Sequence, residues 1–558
     1  MTTDNLRIFL WVGLMMLVWL TLQTWQQTYS RKASSAAEQT ATTKTGPAAP
    51  AAEPALPPLP GLAAAAPPTA IAPTDPAAGA PPAAAAILIH VRTDVFDLAI
   101  DLKGGNIVDA KLPTYPIHKD QPGVPVELLS PVPERFFSFQ GGLRAAGGQP
   151  EANHLATFVA PRTEFRLEPG ANELKVPLRW ESPTGVMVTK TYTFRPGRFQ
   201  IDLEYAVQNN STQPYQAAEY LQLHRLFTPH KQSMFDVETY SFNGPVTYDG
   251  KKYQKLKVDD LVTTPFGQSV SQGWFAAIQH HFLAAAVPPA SENWTYAGTF
   301  ADGKFLLSAI GPLRSIPATG SSNFTSRLFI GPKLQDELVG AAPGLELTVD
   351  YGRLTLLAQP MFWLLEKVHG FVRNWGLTII LVTLLIKLVF YKLSETSGRS
   401  MAGMRKLQPR MKALQERYKD DRQAMSAALM ELYKKEKINP AAGCLPMLVQ
   451  IPFFISFYWV LLESVEMRQA PFALWITDLS SKDPFFILPL LMGAAMFIQQ
   501  KLNPPPPDPV QAKMMQIMPV VFTGFFAFFP AGLVLYWLTN SVLSIAQQWR
   551  INKVLGAD

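Results

Sequence analysis

The sequence predicts a polytopic α-helical membrane protein with six transmembrane helices and one large antiparallel β domain outside the membrane. Only 16% of its 558 residues are charged, whereas soluble domains average about a quarter. Uncharged stretches long enough to cross a bilayer lie near the amino terminus and in the last third of the chain. Between them apolar residues alternate with a period of two, which is typical of strands with one buried face.

The first predicted element is an amino-terminal membrane anchor, residues 1–30. Twenty-three uncharged residues separate Arg7 from Arg31, enough to cross about 30 Å of hydrocarbon. The stretch ends in Gln and Thr rather than in the small residues of a cleavage site, which favours an uncleaved helix. The alanines between Ala33 and Ala37 leave a cleaved signal peptide open as the alternative.

Residues 31–86 are predicted to be a disordered tether. Positions 47–86 contain 12 Pro and 18 Ala. This composition cannot bury enough apolar surface to offset the entropy of an ordered chain, and it tends toward extended polyproline conformations. We therefore expect a spacer between the anchor and the next domain.

Residues 87–352 are predicted to form one antiparallel β domain, with a sandwich as the preferred architecture. Period-two alternation begins at Ile87 and recurs between Phe199 and Val207 and between Leu345 and Tyr351. Turn signals rich in Gly, Asn and Pro separate such runs. No catalytic acid–base pair is recognisable from spacing within this region.

The remainder of the chain is predicted to be helical. Residues 353–371 have the pattern of an amphipathic helix lying in the membrane interface, and residues 372–558 are predicted to form a five-helix core. Four uncharged or nearly uncharged stretches supply its five spans, because the last is long enough for two helices broken at Pro530. These stretches are Trp375–Tyr391, Ile438–Leu462, Pro484–Gln500 and Met514–Trp549.

The segment between the second and third spans predicts the orientation. Residues 392–437 carry 12 Lys or Arg and 6 Asp or Glu, a net +6 that equals the formal charge of the whole chain. Basic loops stay in the cytoplasm. Both termini are therefore predicted to be cytoplasmic, with the β domain on the opposite side.

The same segment predicts an antiparallel helical hairpin, residues 394–438. Apolar residues in its first half recur with spacings of three and four, and a second stripe follows, as in a coiled-coil seam. Pro409 should kink or restart the first helix. The charges belong either to a solvated surface or to a docking face for anionic lipid or ribosomal RNA. The seam residues are Met404, Leu407, Met411, Leu414 and Tyr418, facing Met425, Leu429 and Leu432.

Several kinds of chemistry are excluded or unsupported. The single cysteine, Cys444, cannot form an intrachain disulfide. All eight histidines precede the apolar stretches of the last third, which excludes histidine-dependent hydrolysis within them. The sequence has neither a phosphate-binding loop nor a G-x-S-x-G elbow. We predict no catalytic residue, no metal site and no cofactor.

Lys387 is the one charge inside a predicted span of the core. A charge at a helix centre costs about 2.5 to 3.5 kcal/mol on insertion scales. Lys387 lies five residues before Lys392, so its side chain could snorkel to the cytoplasmic surface. The alternative is a hydrated groove, and the residues alone leave both open.

Sequence motifs add a resemblance to a known family. The layout of anchor, external β domain and five spans with a basic hairpin resembles the YidC membrane protein insertases of Gram-negative bacteria. Six stretches of the sequence also resemble motifs of that family: Arg92–Leu98, Met401–Pro409, Asn439–Pro446, Gln450–Pro452, Arg468–Ile476 and Phe529–Trp537.

The resemblance implies a periplasmic β-supersandwich and an inner-membrane insertase that moves short hydrophilic tails of nascent membrane proteins across the membrane. It implies action alone or beside the Sec translocon, function as a monomer, and contacts with the ribosome, the signal recognition particle receptor and anionic phospholipids. The family usually has an arginine where this chain has Lys387, which keeps the charge but lacks the planar guanidinium. The carboxy-terminal tail is also short and nearly neutral.

The resemblance further implies two sets of functional residues, a groove and a hydrophobic slide, and the +6 charge of the hairpin suggests a third, a docking set. The predicted groove comprises Lys387, Thr383, Gln450, Gln516, Thr523, Thr539 and Asn540. The predicted hydrophobic slide comprises Met447, Phe453, Met492, Met496, Met514, Met518, Phe525, Phe526 and Phe528. The predicted cytoplasmic docking residues are Arg405, Lys406, Arg410 and Lys412.

Two other classes of function remain as alternatives. A secondary transporter would show inverted repeats and several intramembrane charges, and the sequence shows neither. An envelope protein that binds or modifies carbohydrate would act through the β domain, where His224, His230, His280 and His281 could serve.

Overall fold

The computed structural model describes residues 87–229, 241–418, 421–436, 440–502 and 509–555. The predicted anchor and tether, residues 1–86, lie outside the described residues, as does His230. The chain divides into two compact units. One contains the hairpin within Ser400–Gly443, and the other contains the β domain and the remaining described helices.

The β domain consists of two sheets. Among the described residues the first sheet has eleven strands: β1 (Leu88–Arg92), β2 (Asp97–Asp101), β3 (Asn106–Pro116), β4 (Pro125–Leu129), β5 (Phe137–Ala145), β6 (Glu164–Arg166), β10 (Tyr215–Leu226), β13 (Phe266–Val270), β16 (Trp294–Ala301), β17 (Lys304–Ile310) and β18 (Arg314–Ile316). The second sheet has eight: β7 (Leu174–Glu181), β8 (Val186–Phe194), β9 (Gln200–Asn209), β11 (Gly244–Tyr248), β12 (Tyr253–Lys255), β14 (Trp274–Ile278), β15 (Phe282–Val287) and β19 (Ser321–Pro332).

Strand pairing explains the sequence periodicity. In β9 every second side chain, including Ile201, Leu203 and Tyr205, is at most 1% exposed, because one face of the strand lies on the core between the sheets. Its neighbour β19 pairs antiparallel, with Leu328 opposite Ile201. The prediction of an antiparallel β domain is confirmed, although β1 pairs with β6 in parallel.

The predicted strand at Leu345–Tyr351 is wrong. The chain forms a 3₁₀ helix over Leu345–Thr348, and Gly344 before it has a φ of 78°. Leu345 and Thr348 are buried three residues apart, which is the repeat of a 3₁₀ helix. Alternating apolar residues alone do not distinguish this arrangement from a strand.

Two short helices lie within and after the sandwich, and nine follow from Thr355 onward in the described residues. They are α1 (Val258–Thr263), α2 (Gln335–Ala341), α3 (Thr355–Val372), α4 (Trp375–Val389), α5 (Tyr391–Lys406), α6 (Gln408–Arg417), α7 (Arg422–Lys435), α8 (Pro440–Glu463), α9 (Ile487–Leu502), α10 (Pro509–Phe526) and α11 (Ala531–Leu555). The predicted break at Pro530 is confirmed, because α10 ends before it and α11 begins after it.

Among the described helices, none alone has both the length and the apolar composition of a membrane span. Trp375–Val389 and Tyr391–Ser400 meet those criteria together, with a bend of 65° between them. Three shorter apolar helices are Val449–Glu463, Ile487–Leu502 and Lys513–Phe526. The predicted count of six spans is therefore not confirmed.

The hairpin has its own small core. Leu407, Met411, Leu429 and Tyr433 are buried together, and the Tyr433 hydroxyl lies 3.6 Å from the Met411 sulfur. Three of these four were predicted as seam residues; Tyr433 was missed. Pro409 lies in the first turn of α6, so the predicted restart of the helix is confirmed.

The loop between α8 and α9 contacts the β domain through backbone carbonyls. Arg468 donates to the carbonyls of Pro116 and Ile117 at 2.9 and 3.0 Å. In the opposite direction, Lys119 Nζ donates to the carbonyl of Gln469 at 3.1 Å. The end of β3 and this loop are thereby joined.

A second contact buries ionisable groups where α8 ends. His280 Nε2 donates to the carbonyl of Leu462 at 3.0 Å, and the His280 and His281 rings stack at 3.8 Å. Burial, with Lys333 nearby, lowers the pKa of His280 to about 3. Burial also lowers the pKa of Lys333 to about 8 despite the attraction of Glu463. His280 is therefore neutral at pH 7, whereas Lys333 remains mostly protonated.

Candidate functional site

The candidate site is built around Lys387 near the end of α4. That helix begins at a cap where the Asn374 side chain accepts from the Leu377 backbone N–H at 3.0 Å. Gly376 in its first turn allows close approach to the α8–α9 loop, since a Cβ there would lie 2.0 Å from Phe472. With its start fixed, α4 carries Lys387 about 18 Å from Trp375.

The Lys387 ammonium points toward α11. Its Nζ donates to the Ser544 hydroxyl at 2.7 Å, and that hydroxyl donates to the Asn540 carbonyl, also at 2.7 Å. The Asn540 side chain accepts from Gln450 Nε2 of α8 at 2.5 Å. Hydrogen bonds therefore join α11 to α4 through Ser544 and to α8 through the Asn540 side chain, and they pair groups that would be costly to bury unpaired.

A cavity lies beside these bonds, and the space between its lining atoms, including open solvent, is about 430 Å³. The Phe390 and Phe453 rings meet edge to face in its lining, with centroids 5.1 Å apart. The lining combines apolar walls with a cation, two amides and hydroxyl groups, so it can solvate a polar chain segment without being fully aqueous. It comprises Thr383, Ile386, Lys387, Phe390, Leu393, Ser394, Val449, Gln450, Phe453, Tyr536 and Asn540.

The structure brings four of the seven predicted groove residues to this cavity, namely Thr383, Lys387, Gln450 and Asn540. The other three do not line it. Thr523 and Thr539 donate to carbonyls of their own helices at 2.7 and 2.8 Å, and Gln516 is exposed on α10.

Three polar residues at this site were missed from the sequence. Ser394 and Tyr536 line the cavity, and Ser544 holds the ammonium. Ser544 could have been found, because it lies four residues after Asn540 and therefore on the same helix face. Ser394 could not, because it lies beyond the predicted end of the span.

The predicted hydrophobic slide divides in this structure. Met492 and Phe526 are buried in the core, so they are not part of an exposed slide surface in this structure. Phe453 and Met496 are half-buried, and the side chain of Met447 lies outside the described residues. The exposed members are Met514 at 63%, Met518 at 41%, Phe525 at 41% and Phe528 at 46%.

The predicted docking residues lie in the hairpin unit. Arg410 forms an ion pair with Glu436 at 2.6 Å, and Lys406 is exposed. The side chains of Arg405 and Lys412 lie outside the described residues. Part of the positive charge is therefore neutralised within the hairpin.

No group of three metal-ligating side chains occurs among His, Cys, Asp and Glu in the described segments. The described candidate histidines of the β domain pack against neighbouring side chains and do not converge on a common ligand position. His224 is partly buried beside Phe136, and burial lowers its pKa to about 4.

Comparison with known proteins covers nearly the whole chain. The family described as 60Kd inner membrane protein matches residues 367–557, and the family described as YidC periplasmic domain matches residues 88–364. A membrane protein insertase YidC from Thioalkalivibrio sulfidiphilus is 49% identical over 565 residues, covering 99% of this chain and 98% of the relative.

Two further known proteins are similar to this chain. A membrane protein insertase YidC from Methylococcus capsulatus is 51% identical over 468 residues, covering 83% of this chain and 85% of the relative. A solved structure described as an active YidC insertase with its first transmembrane domain resolved aligns with 83% of this chain and 93% of its own. That alignment has 17% sequence identity and a TM-score of 0.37.

Proposed function

The chain belongs to the YidC family of membrane protein insertases, and from that premise we propose that the cavity beside Lys387 receives the hydrophilic tails of nascent membrane proteins. The resemblance drawn from the sequence motifs is thereby confirmed. The protein is a membrane protein insertase of the inner membrane with a periplasmic domain rich in antiparallel β-sheet.

The proposed role of the cavity is partial solvation. A polar group without a hydrogen-bond partner costs roughly 2 to 7 kcal/mol on leaving water. Amides and hydroxyls in the lining offer such partners to a tail that has entered from the cytoplasm. The ammonium of Lys387 adds an attraction for carboxylates of about 4 kcal/mol at 4 Å and an effective dielectric constant of about 20. The tail then has only the rest of the bilayer to cross.

The observation that carries this proposal is the direction of the Lys387 side chain. Its ammonium is bonded to Ser544 beside the cavity, which supports the groove alternative over snorkelling. A snorkelling lysine would extend along its own helix toward the headgroups. A lysine retained between helices is available to a ligand in the space that they enclose.

The apolar segment that follows the tail is proposed to leave along α10. Met514, Met518, Phe525 and Phe528 expose a flexible and aromatic surface there. Unbranched methionine adapts to partners of different shape. This part of the proposal concerns those four residues and excludes Met492 and Phe526, which are buried.

The finer organisation is proposed as follows. Six helices span the membrane, with both termini and the hairpin in the cytoplasm and the sandwich, residues 87–352, in the periplasm. Residues 353–371 lie in the interface, and 372–558 form the insertase core. The hairpin, residues 394–438, meets the ribosome, the signal recognition particle receptor or anionic phospholipids, and the chain acts as a monomer, alone or beside the Sec translocon.

The proposed energy source is the membrane potential together with partitioning into lipid. Moving one negative charge to the positive, outer side gains about 2.3 kcal/mol per 100 mV. Insertion of acidic tails is therefore favoured both by attraction to Lys387 and by the membrane potential. The sequence contains no phosphate-binding loop, consistent with insertion that requires no nucleotide hydrolysis by this chain.

Substitution of Lys387 tests the proposal. Lys387→Ala and Lys387→Glu should slow insertion of an acidic-tailed substrate by about tenfold, the equivalent of 1.4 kcal/mol. The same tail with Asn and Gln in place of Asp and Glu should insert at an unchanged rate. Lys387→Arg should function, because it preserves the charge. Insertion is measured in proteoliposomes at equal protein levels.

Photocrosslinking gives an independent measurement. A photoreactive residue at 387 should label the tail of a stalled nascent chain, whereas one at Val389, which is 77% exposed, should label lipid. If Lys387→Ala inserts acidic tails at the original rate and at normal abundance, the proposed role of the charge is wrong. Neither a transporter nor a carbohydrate protein is favoured by the named relatives.

A further inference from the structure

Ser544 is the side chain that holds the Lys387 ammonium in this structure. The distance from Nζ to the Ser544 hydroxyl is 2.7 Å, and within the described part of the chain no carboxylate forms an ion pair with Lys387. The lysine thus has a hydroxyl partner on α11. A neutral partner fixes the position of the charge without neutralising it.

The Ser544 hydroxyl is itself oriented. Its proton is donated to the Asn540 carbonyl at 2.7 Å, so its lone pairs face the ammonium. Hydrogen bonds in such a series polarise one another. The Asn540 side chain is fixed in turn by Gln450. The acceptor that meets Lys387 is therefore oriented within α11, because the carbonyl that takes the Ser544 proton belongs to the backbone of that helix.

A lysine ammonium has three donors. One is used by Ser544, which leaves two for a ligand in the cavity. A carboxylate has two acceptor oxygens and the opposite charge. The remaining donors therefore match a carboxylate on an entering chain better than they match an amide or a hydroxyl.

We propose that Ser544 is a positioning residue that holds the Lys387 ammonium at the cavity and so sets the preference of this insertase for acidic tails. This inference rests on the proposed function of the cavity. Without the Ser544 hydroxyl, the four-carbon stem is free to turn toward the headgroups, and the charge leaves the site while remaining on the protein.

The test compares Ser544→Thr with Ser544→Val. These replacements have nearly the same shape, but only Thr keeps a hydroxyl that can donate to the Asn540 carbonyl and accept from Lys387. The readout is the ratio of insertion rates for two substrates whose tails differ only by Asp and Glu against Asn and Gln. It is measured in proteoliposomes with the full chain, at matched protein levels.

Ser544→Thr should keep the ratio within about twofold, and Ser544→Val should lower it about fivefold, as expected for loss of one charge-assisted hydrogen bond in a partly hydrated site. In a Lys387→Met background, Ser544→Val should have no further effect on the ratio, because no charge remains to be positioned.

The outcomes separate the two ideas. If Lys387→Met leaves the ratio unchanged, the proposed function of the cavity fails, and this inference with it. If Lys387→Met lowers the ratio but Ser544→Val matches Ser544→Thr, only the role of Ser544 is overturned. An equal loss for both tails that persists in the Lys387→Met background would also overturn it, because that pattern belongs to helix packing.

Discussion

A buried lysine, Lys190, and a half-buried lysine, Lys387, illustrate the difference between the β domain and the membrane core. Lys190, in β8, is fully buried, and its ammonium donates to the carbonyls of Gly104 and Gly141, each at 2.9 Å. The rings of Tyr192 and Tyr205 lie 5.3 and 5.5 Å from it. Lys387 has one hydroxyl partner and borders a cavity.

Lysine has a structural role at position 190, whereas at position 387 its ammonium can bind a ligand. Around Lys190 the protein supplies acceptors and aromatic faces, and burial lowers its pKa to about 7. The Lys190 side chain is inaccessible to solvent. Around Lys387 the protein supplies one acceptor and leaves space. Burial alone therefore does not identify a functional charge; the number of its partners and the adjoining volume do.

Replacing Lys190 should produce the largest loss of stability. Lys190→Ala removes the stem and leaves two buried carbonyls without a donor, at a cost of about 3 kcal/mol. For a domain of this size the expected fall in Tm is about 6 to 12 °C. The Tm is measured by near-ultraviolet circular dichroism on the full chain.

The preference for acidic tails should not change in Lys190→Ala. Lys190→Met, which keeps most of the stem, should lose less stability. If Lys190→Ala changed the substrate preference as Lys387→Ala is expected to, the distinction between the buried Lys190 and Lys387, which borders the cavity, would be wrong.

Acid should weaken the β domain through His280. Its pKa is near 3 when folded and near 6.5 when unfolded, so below pH 6.5 the unfolded chain binds a proton that the folded chain does not. The contribution to stability is complete above pH 6.5 and falls by at most about 2 kcal/mol between pH 7 and pH 5.

Removing His280 should remove that part of the pH dependence. The free energy of unfolding of His280→Gln should fall less between pH 7 and pH 5 than that of the unmodified protein. Chemical denaturation at the two pH values measures it. His118→Gln, at an exposed histidine, is the matched control and should follow the unmodified protein. Equal acid sensitivity of all three proteins would contradict the assignment to His280.

The hairpin is expected to behave as an open, charged surface. Replacing Arg405, Lys406, Arg410 and Lys412 by Gln should weaken binding to anionic liposomes or ribosomes by about tenfold, since each surface charge contributes at most about 1 kcal/mol and Arg410 is paired. Raised salt should weaken the unmodified protein similarly. Liposome co-sedimentation measures both.

The charge-preserving variant Arg405→Lys with Arg410→Lys is the control and should bind normally. Unchanged binding of the Gln variant, with an unchanged response to salt, would leave only the solvated-surface interpretation of the hairpin.

The smallest expected effect belongs to removal of the β domain. Deleting residues 87–340 should leave insertion of a small two-span substrate within about twofold, because the lining of the cavity comes from α4, α5, α8 and α11. Arg468 and Gln469 lose their partners, but water replaces them at little cost. Loss of insertion at normal membrane levels would show that the sandwich takes part in it.

The sequence predicted the β domain and the helix breaks well, because burial imposes periodicities of two and of three to four that are visible in the residues. It failed at Leu345–Tyr351, where a 3₁₀ helix buries a similar apolar pattern. At the site, Lys387 was identifiable because charge in an apolar stretch is costly. Ser544 could be placed on the Asn540 face of its helix, but its pairing with Lys387 could not be predicted, since contacts between α4 and α11 depend on packing across more than 150 residues of sequence.

The contact between the sandwich and the α8–α9 loop has a consequence for recombination between relatives. Arg468 and Lys119 both donate to backbone carbonyls of the opposite segment, and a carbonyl is present whatever side chain the residue bears. Residues such as Ile117 can therefore be exchanged without loss of the acceptor. A chimera that joins this core to the periplasmic domain of a relative needs a matching backbone path and the two cations, but it does not need the same acceptor residues.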